Sequence, residues 1–245
     1  MNNKFIKMLG VLSIALTTTT NSYAKEKTMT NQTASYIEMK AVETQTDNFA
    51  QFLTGAAPLV KETEPGTKLW FALQGVTDKE KLTIFDIFID ENARNAHFTG
   101  AVAGALNKNA HKLVVGGWDN GVVANINNSS VLSTKEPADL YSATTATYIK
   151  IKAAEGQSEA LAKLLTAAGS LVSETEPKTL YWAALQIDDN NFAIFDIFAD
   201  SSGREEHFAG KVANLLKEQS SILVEGGWEK GVVANIYNYD ILAIK

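Results

Sequence analysis

Cysteine is absent from this chain of 245 residues. That excludes disulfides, thiolate metal sites and a cysteine nucleophile. Histidine is scarce, at 3 residues, and no His-x-x-x-His pair or calcium-loop spacing occurs, so no metal site is expected. There is no phosphate-cradling Gly-rich loop and no nucleophile elbow. An excess of basic residues is missing too. Lys and Arg number 22 against 28 Asp and Glu, a formal net charge of −6, which argues against nucleic acid as a partner. What is present, 45% hydrophobic and 20% charged residues, is an ordinary globular profile.

Long apolar runs are lacking as well. The stretch Met8 to Leu16 is too short for a stable bilayer-spanning helix. It follows Lys4 and Lys7 and precedes Ser22-Tyr23-Ala24, the small-x-small pattern of a cleavage site. Residues 1–24 are therefore expected to be a signal peptide cut after Ala24, with 25–34 a tail. No Cys follows, so a lipoprotein anchor is not expected. The mature chain should be periplasmic or secreted, with no stable membrane insertion.

The chain repeats itself. Tyr36-Ile37 aligns with Tyr148-Ile149, and Glu62-Thr63-Glu64-Pro65 with Glu174-Thr175-Glu176-Pro177, both at an offset of 112. After Gln74 the offset becomes 110: Phe85-Asp86-Ile87-Phe88, His97-Phe98, Gly116-Gly117-Trp118 and the segment Gly121 to Ile126 all recur. A two-residue change confined to one turn is what a surface hairpin tolerates. The period is too long for a solenoid, so a duplicated domain is expected: repeat one over 35–135, a linker over 136–145, repeat two over 146–245.

Within each repeat, Ser35 to Val42 alternates and reads as a strand. Thr46 to Glu62 and its partner Ser158 to Glu174 read as helices, stopped by Pro65 and Pro177. Lys68 to Gln74 and Leu82 to Asp90 read as a hairpin. A second helix is expected from Glu91 to about Val115, ended by Gly116-Gly117. Trp118 to Ile126 reads as loop or short helix, and Val131 to Lys135, matched by Ile241 to Lys245, as a short last strand. The order β-α-β-β-α-β is the ferredoxin-like plan of an α+β fold.

Strand alternation sorts the side chains into two sets. Ile37, Met39, Leu69, Phe71, Leu73, Phe85, Ile87 and Ile89 are expected under the helices. Tyr36, Glu38, Lys40, Trp70, Ala72, Gln74, Asp86 and Phe88 form the other face, with Trp182 and Phe198 in repeat two. So many aromatics on an open face mark an interface or a groove. The two sheets are therefore expected to close face to face into a pseudo-dimeric α/β barrel, an isologous dimer made covalent. Asp86 and Asp196 would then point inward, with Lys40, Glu38, Lys150 and Lys152 nearby.

Glu62-Thr-Glu-Pro-Gly-Thr67, the following Trp70, and Phe85-Asp-Ile-Phe-Ile-Asp-Glu-Asn-Ala93 with His97 resemble the antibiotic biosynthesis monooxygenase domain of the dimeric α/β-barrel superfamily. The second repeat departs at Lys178, where the first has Gly66. The resemblance implies oxygenation of an electron-rich aromatic, such as a hydroquinone or anthrone, often without a cofactor. The partner would be a small aromatic or quinone-like molecule, and the protein would supply a base, an apolar cavity and hydrogen-bond donors. His97 and His207 are the candidate bases. Asp86 and Asp196 would orient a histidine or the substrate. Trp70, Trp182, Phe88, Phe198, Tyr36 and Tyr148 would line the substrate site.

Plainer roles exist for each. His97 and His207 could tie helix to strand or loop, and His111, with no counterpart in repeat two, reads as surface. Asp86 and Asp196 could pair with Lys40 or Lys152 across the barrel. Asn125 and Asn235 could cap or bridge backbone. The whole chain could be a non-catalytic barrel that binds a small apolar ligand. A haem-degrading relative fits less well, because the resemblance there implies an Asn on the first strand, and Tyr36 to Lys40 has none.

Overall fold

The computed structural model describes residues 31–245; the expected signal peptide and most of the tail lie outside them. Repeat one builds β1 (Thr33–Lys40), α1 (Thr46–Thr63), β2 (Thr67–Gly75), β3 (Lys81–Phe88), α2 (Glu91–Phe98), α3 (Ala101–Leu113) and β4 (Ile126–Lys135). Repeat two builds β5 (Thr145–Lys152), α4 (Ser158–Thr175), β6 (Thr179–Gln186), β7 (Asn191–Phe198), α5 (Ser201–Phe208), α6 (Lys211–Leu223) and β8 (Ile236–Ile244). The strands close into one antiparallel barrel in the order β1-β3-β2-β8-β5-β7-β6-β4. Among the described residues no helix is long and apolar enough to cross a membrane.

The closure depends on strand exchange. β8 of repeat two pairs with β2 of repeat one, and β4 of repeat one pairs with β6 of repeat two. The last strands are therefore longer than the sequence suggests, since each must reach across to the opposite half. Each half supplies the edge the other lacks, so the barrel has no free edge.

The helices form for the usual reason. In α1, Phe49, Leu53, Ala56, Ala57 and Val60 recur at helical spacing and are buried on one side. Asp90 begins α2 by accepting a hydrogen bond from the Ala93 amide at 2.8 Å, and Asp200 begins α5 through Gly203 at 3.0 Å. The single helix expected from Glu91 is broken at Thr99-Gly100. A Cβ on Gly100 would stand 3.0 Å from Oε1 of Glu64 and 3.1 Å from the His97 carbonyl, so the chain turns there against the end of α1. The stretch from Trp118 lies in a turn of π-helix, Gly117–Val122, followed by a turn of 3₁₀-helix, Val123–Asn125, and Ile126 already begins β4. Asn125 bridges backbone there, donating to the carbonyls of Asn120 and Gly121 at 3.2 and 3.0 Å, and Asn235 does the same in repeat two.

The face assignment from alternation holds for β1 and fails for β2 and β3. Register places Tyr36 opposite Phe85 and Phe71 opposite Phe85, so these three share the barrel interior. Trp70 lies opposite Asp86, as does Ser35, on the outer face beneath the helices. Trp70, Trp182, Asp86, Asp196, Phe88 and Phe198 are thus not inside the barrel. Phe71, Phe85, Leu69, Leu73 and Ile87 are. Alternation gives parity within a strand but not between strands, and a bulge between Thr67 and Leu69 shifts the register of β2. Ile89, expected in the core, is exposed.

The interior is filled. Tyr36 stacks on Tyr148 with ring centroids 3.9 Å apart, and Phe85 stacks on Phe195 at 3.7 Å. Phe71 meets Phe195 edge-on at 5.4 Å. Tyr36 also shares a 2.5 Å hydrogen bond with Tyr239. Lys40 and Lys152, expected to face the aspartates, pair instead with Glu80 at 3.1 Å and Glu225 at 2.8 Å on the surface.

The Gly66/Lys178 departure between repeats has a steric account. A Cβ on Gly66 would stand 2.6 Å from Cβ of Ala93. In repeat two the small residue has changed sides: Gly203 replaces Ala93, and Lys178 fits against it. One of the two facing positions must be glycine, and either will serve.

Candidate active site

The outer faces of β2 and β3 bring four candidate residues of repeat one together. His97, in the last turn of α2, is only 4% exposed, and Asp86 on β3 is fully buried. The ring of His97 lies between Phe88 and Phe98, with centroids at 5.3 and 5.5 Å. Its Nε2 is 3.8 Å from Oδ2 of Asp86, and its Nδ1 is 2.5 Å from Oε2 of Glu64. Trp70 is the cross-strand neighbour of Asp86. Repeat two reproduces the arrangement: His207 Nδ1 is 2.5 Å from Glu176 and Nε2 is 3.8 Å from Asp196, with Phe198 and Phe208 beside the ring. Tyr36 and Tyr148 are not part of either group; they meet each other inside the barrel. His111 is exposed.

Glu64 and Glu176 were not singled out by residue type, although each sits in a repeated Glu-Pro. That repetition was the available signal. Proline ends α1, and the glutamate just before it is thrown back toward α2. Thr67 completes the corner, donating from Oγ1 to Oε2 of Glu64 at 3.0 Å; Thr179 and Glu176 are 3.3 Å apart.

Neither oxygen of Asp86 or Asp196 has a hydrogen-bond partner among the described residues, and the Trp70 and Trp182 Nε1 atoms have none either. A carboxylate so placed resists ionisation. Burial pushes Asp86 up to about 7, against the pull of His97, and Asp196 behaves alike. Burial alone would lower the histidines, but the aspartates and glutamates outweigh it and hold His97 and His207 above their usual value. Each aspartate therefore holds its proton to a higher pH than an ordinary carboxyl does, beside a histidine that holds its own more tightly than usual.

Both groups open to solvent. Glu64 and His97 line a cleft of about 270 Å³ with Pro65, Gly66, Ala96 and Gly100. Glu176 and His207 line one of about 250 Å³ with Lys178, Glu206 and Gly210. Asp86 and Asp196 lie behind the histidines. Among the described residues no cluster of three or more His, Asp and Glu side chains is arranged to hold a metal ion.

The architecture, two βαββαβ halves closing into one α/β barrel within a single chain, is shared with solved structures whose names call them monooxygenases. A candidate monooxygenase of Fusobacterium nucleatum superposes with a TM-score of 0.73 at 14% identity, over 87% of this chain and 94% of that one. A candidate monooxygenase of Lactobacillus acidophilus gives 0.71 at 12%, over 87% and 95%. An anthrone oxidase-like protein gives 0.56 at 8%, over 87% and 92%. At these identities the likeness is one of fold. No protein-family model matches the sequence, and no curated protein aligns with it significantly.

Proposed function

We propose that the protein is a monooxygenase-like enzyme that takes a proton from an electron-rich hydroxyaromatic, a hydroquinone or related compound, so that the substrate anion itself reduces O₂. The supporting observation is the duplicated Glu–His–Asp group, in which a buried histidine faces a cleft and backs onto a buried aspartate of raised pKa. Glu64 and His97 meet the substrate hydroxyl; Asp86 gives the proton a place to go. The anion passes an electron to O₂, the two radicals join in a C–O bond at a ring carbon that carries hydrogen, the proton held by the His–Asp pair returns to the peroxide, and loss of water from that hydroperoxide leaves a carbonyl with one atom of O₂. The clefts, at about 250–270 Å³, fall just below the range of ligand sites, which run from about 300 Å³. Compact substrates of one or two rings fit that size best. If residues 1–24 act as a leader, the reaction takes place outside the cytoplasm.

An oxygen electrode with a panel of hydroquinones at pH 7–8 tests this. The wild-type chain should consume O₂. His97→Ala or His207→Ala should each remove about half the rate if the sites are equal, and the double variant about 10²-fold or more. No uptake across the panel, or an unaffected double variant, rejects the enzyme. A second reading, a binding module without turnover, draws support from the hydrogen bond that holds Nδ1 of each histidine to a glutamate, which also suits a structural tie. It predicts saturable quinol binding with no O₂ uptake.

A further inference from the structure

Each Glu–His–Asp group receives an ammonium from the opposite half of the chain. β8 runs along β2, and Lys245, which follows it, donates its backbone N–H to the Trp70 carbonyl at 3.0 Å. The Lys245 Nζ then donates to the carbonyl of Glu64 at 2.8 Å and to that of Thr67. These carbonyls flank Pro65-Gly66, so the ammonium clamps the turn that presents the Glu64 carboxylate to His97. β4 performs the reciprocal task. Lys135, opposite Trp182 and only 8% exposed, donates from Nζ to the Glu176 carbonyl at 2.7 Å. The last five residues of the two repeats, Val131 to Lys135 and Ile241 to Lys245, share only the leucine and the lysine.

We propose that Lys245 and Lys135 are positioning residues for the histidine of the other repeat, so that the two sites are cross-built and neither repeat holds a complete one. The inference concerns the same group that is proposed above to accept the proton, but it does not depend on turnover. Two effects follow from the geometry. The ammonium fixes the corner that carries the glutamate. It also places a positive charge near the glutamate and the imidazole, where it offsets part of the negative charge. The charged groups facing His97 are Glu64 from the α1–β2 corner, Asp86 from β3 and Lys245 from β8. Those facing His207 are Glu176, Asp196 and Lys135. In both, the lysine opposes the carboxylates' hold on the imidazole proton. Burial in turn lowers both lysines below their ordinary value, with the glutamate pulling the other way.

The chain has three histidines, so their ring resonances can be titrated separately by NMR in the full chain, with exposed His111 as reference. Lys245→Met should raise the pKa of His97 by about 0.5–1 unit and leave His207 and His111 in place. Lys135→Met should move His207 alone. Lys245→Arg, which keeps the charge, should shift His97 far less than Lys245→Met, and it remains informative if the methionine variant folds poorly. A shift in the histidine of the lysine's own repeat, equal shifts in both, no shift at all, or an arginine variant that behaves like methionine would overturn the cross-built site. Absence of quinol oxidation would not touch this result.

Discussion

Asp86→Asn combined with Asp196→Asn should stabilise the folded chain at pH 8 by a few kcal/mol and change it little at pH 4. Both aspartates are fully buried, their oxygens lack partners, and burial raises each to about 7 from an ordinary 3.8. A group whose folded-state pKa is raised binds its proton more tightly when folded than when unfolded. Its contribution is complete below the unfolded value near 4 and is lost as pH climbs through about 7. Each shift of about three units corresponds to roughly 4 kcal/mol at most. Asparagine mimics the protonated acid and escapes that loss. It also forgoes the attraction of the carboxylate for the protonated histidine, so the gain for both sites together falls well short of the sum. The histidines, also raised, add a loss of the same sign as pH rises. Chemical denaturation at pH 4, 6 and 8 measures the difference between variant and parent, which cancels the other titrating groups. A parent whose advantage over the variant does not change with pH, or a variant less stable at pH 8, would show that the aspartates are ionised and paired in the folded chain.

Phe85→Ala and Phe195→Ala should each destabilise the barrel by about 3–5 kcal/mol. The two rings stack at 3.7 Å across the pseudo-twofold axis, fully buried, and Phe71 closes on Phe195 from the side. Truncating either removes its transferred apolar area and leaves a void that rigid strands cannot close. The double variant should lose less than the sum, because each single change already breaks the same stack. Against a typical folding stability of about 5–15 kcal/mol, either change is severe. The result bears on function. Losses below about 1 kcal/mol would mean a loosely filled interior, and the barrel lumen would again be a plausible ligand cavity.

Much of the architecture was legible because duplication doubles every signal. The proline after each first helix, the alternating strands and the offset change at one hairpin all read correctly. So did the histidine helix, apart from its break, which depends on a tertiary contact between Gly100 and Glu64. The faces of β2 and β3 did not read correctly. Both sides of these strands are buried, and the polar Thr83 and Asp86 of β3 lie on opposite faces and are both buried, so neither marks the outside, and parity relative to β1 is set by cross-strand register. Most of the expected site therefore lies on the outer face rather than in the lumen, yet Trp70, Asp86, Phe88 and His97 lie there together. Glu64 and Lys245 stayed hidden because nothing local reveals that a turn glutamate and the residue after a last strand meet across 181 residues. Only closure of the barrel brings them together.

Where an aromatic ligand lands decides between the outer clefts and the lumen. Hydroquinone titrated anaerobically into the full chain, followed by NMR, should produce saturable shifts at His97 and His207 and at the neighbouring Gly100 and Gly210. Shifts confined to Tyr36, Tyr148 and Tyr239, or no shift at any concentration, would contradict a site beneath the helices.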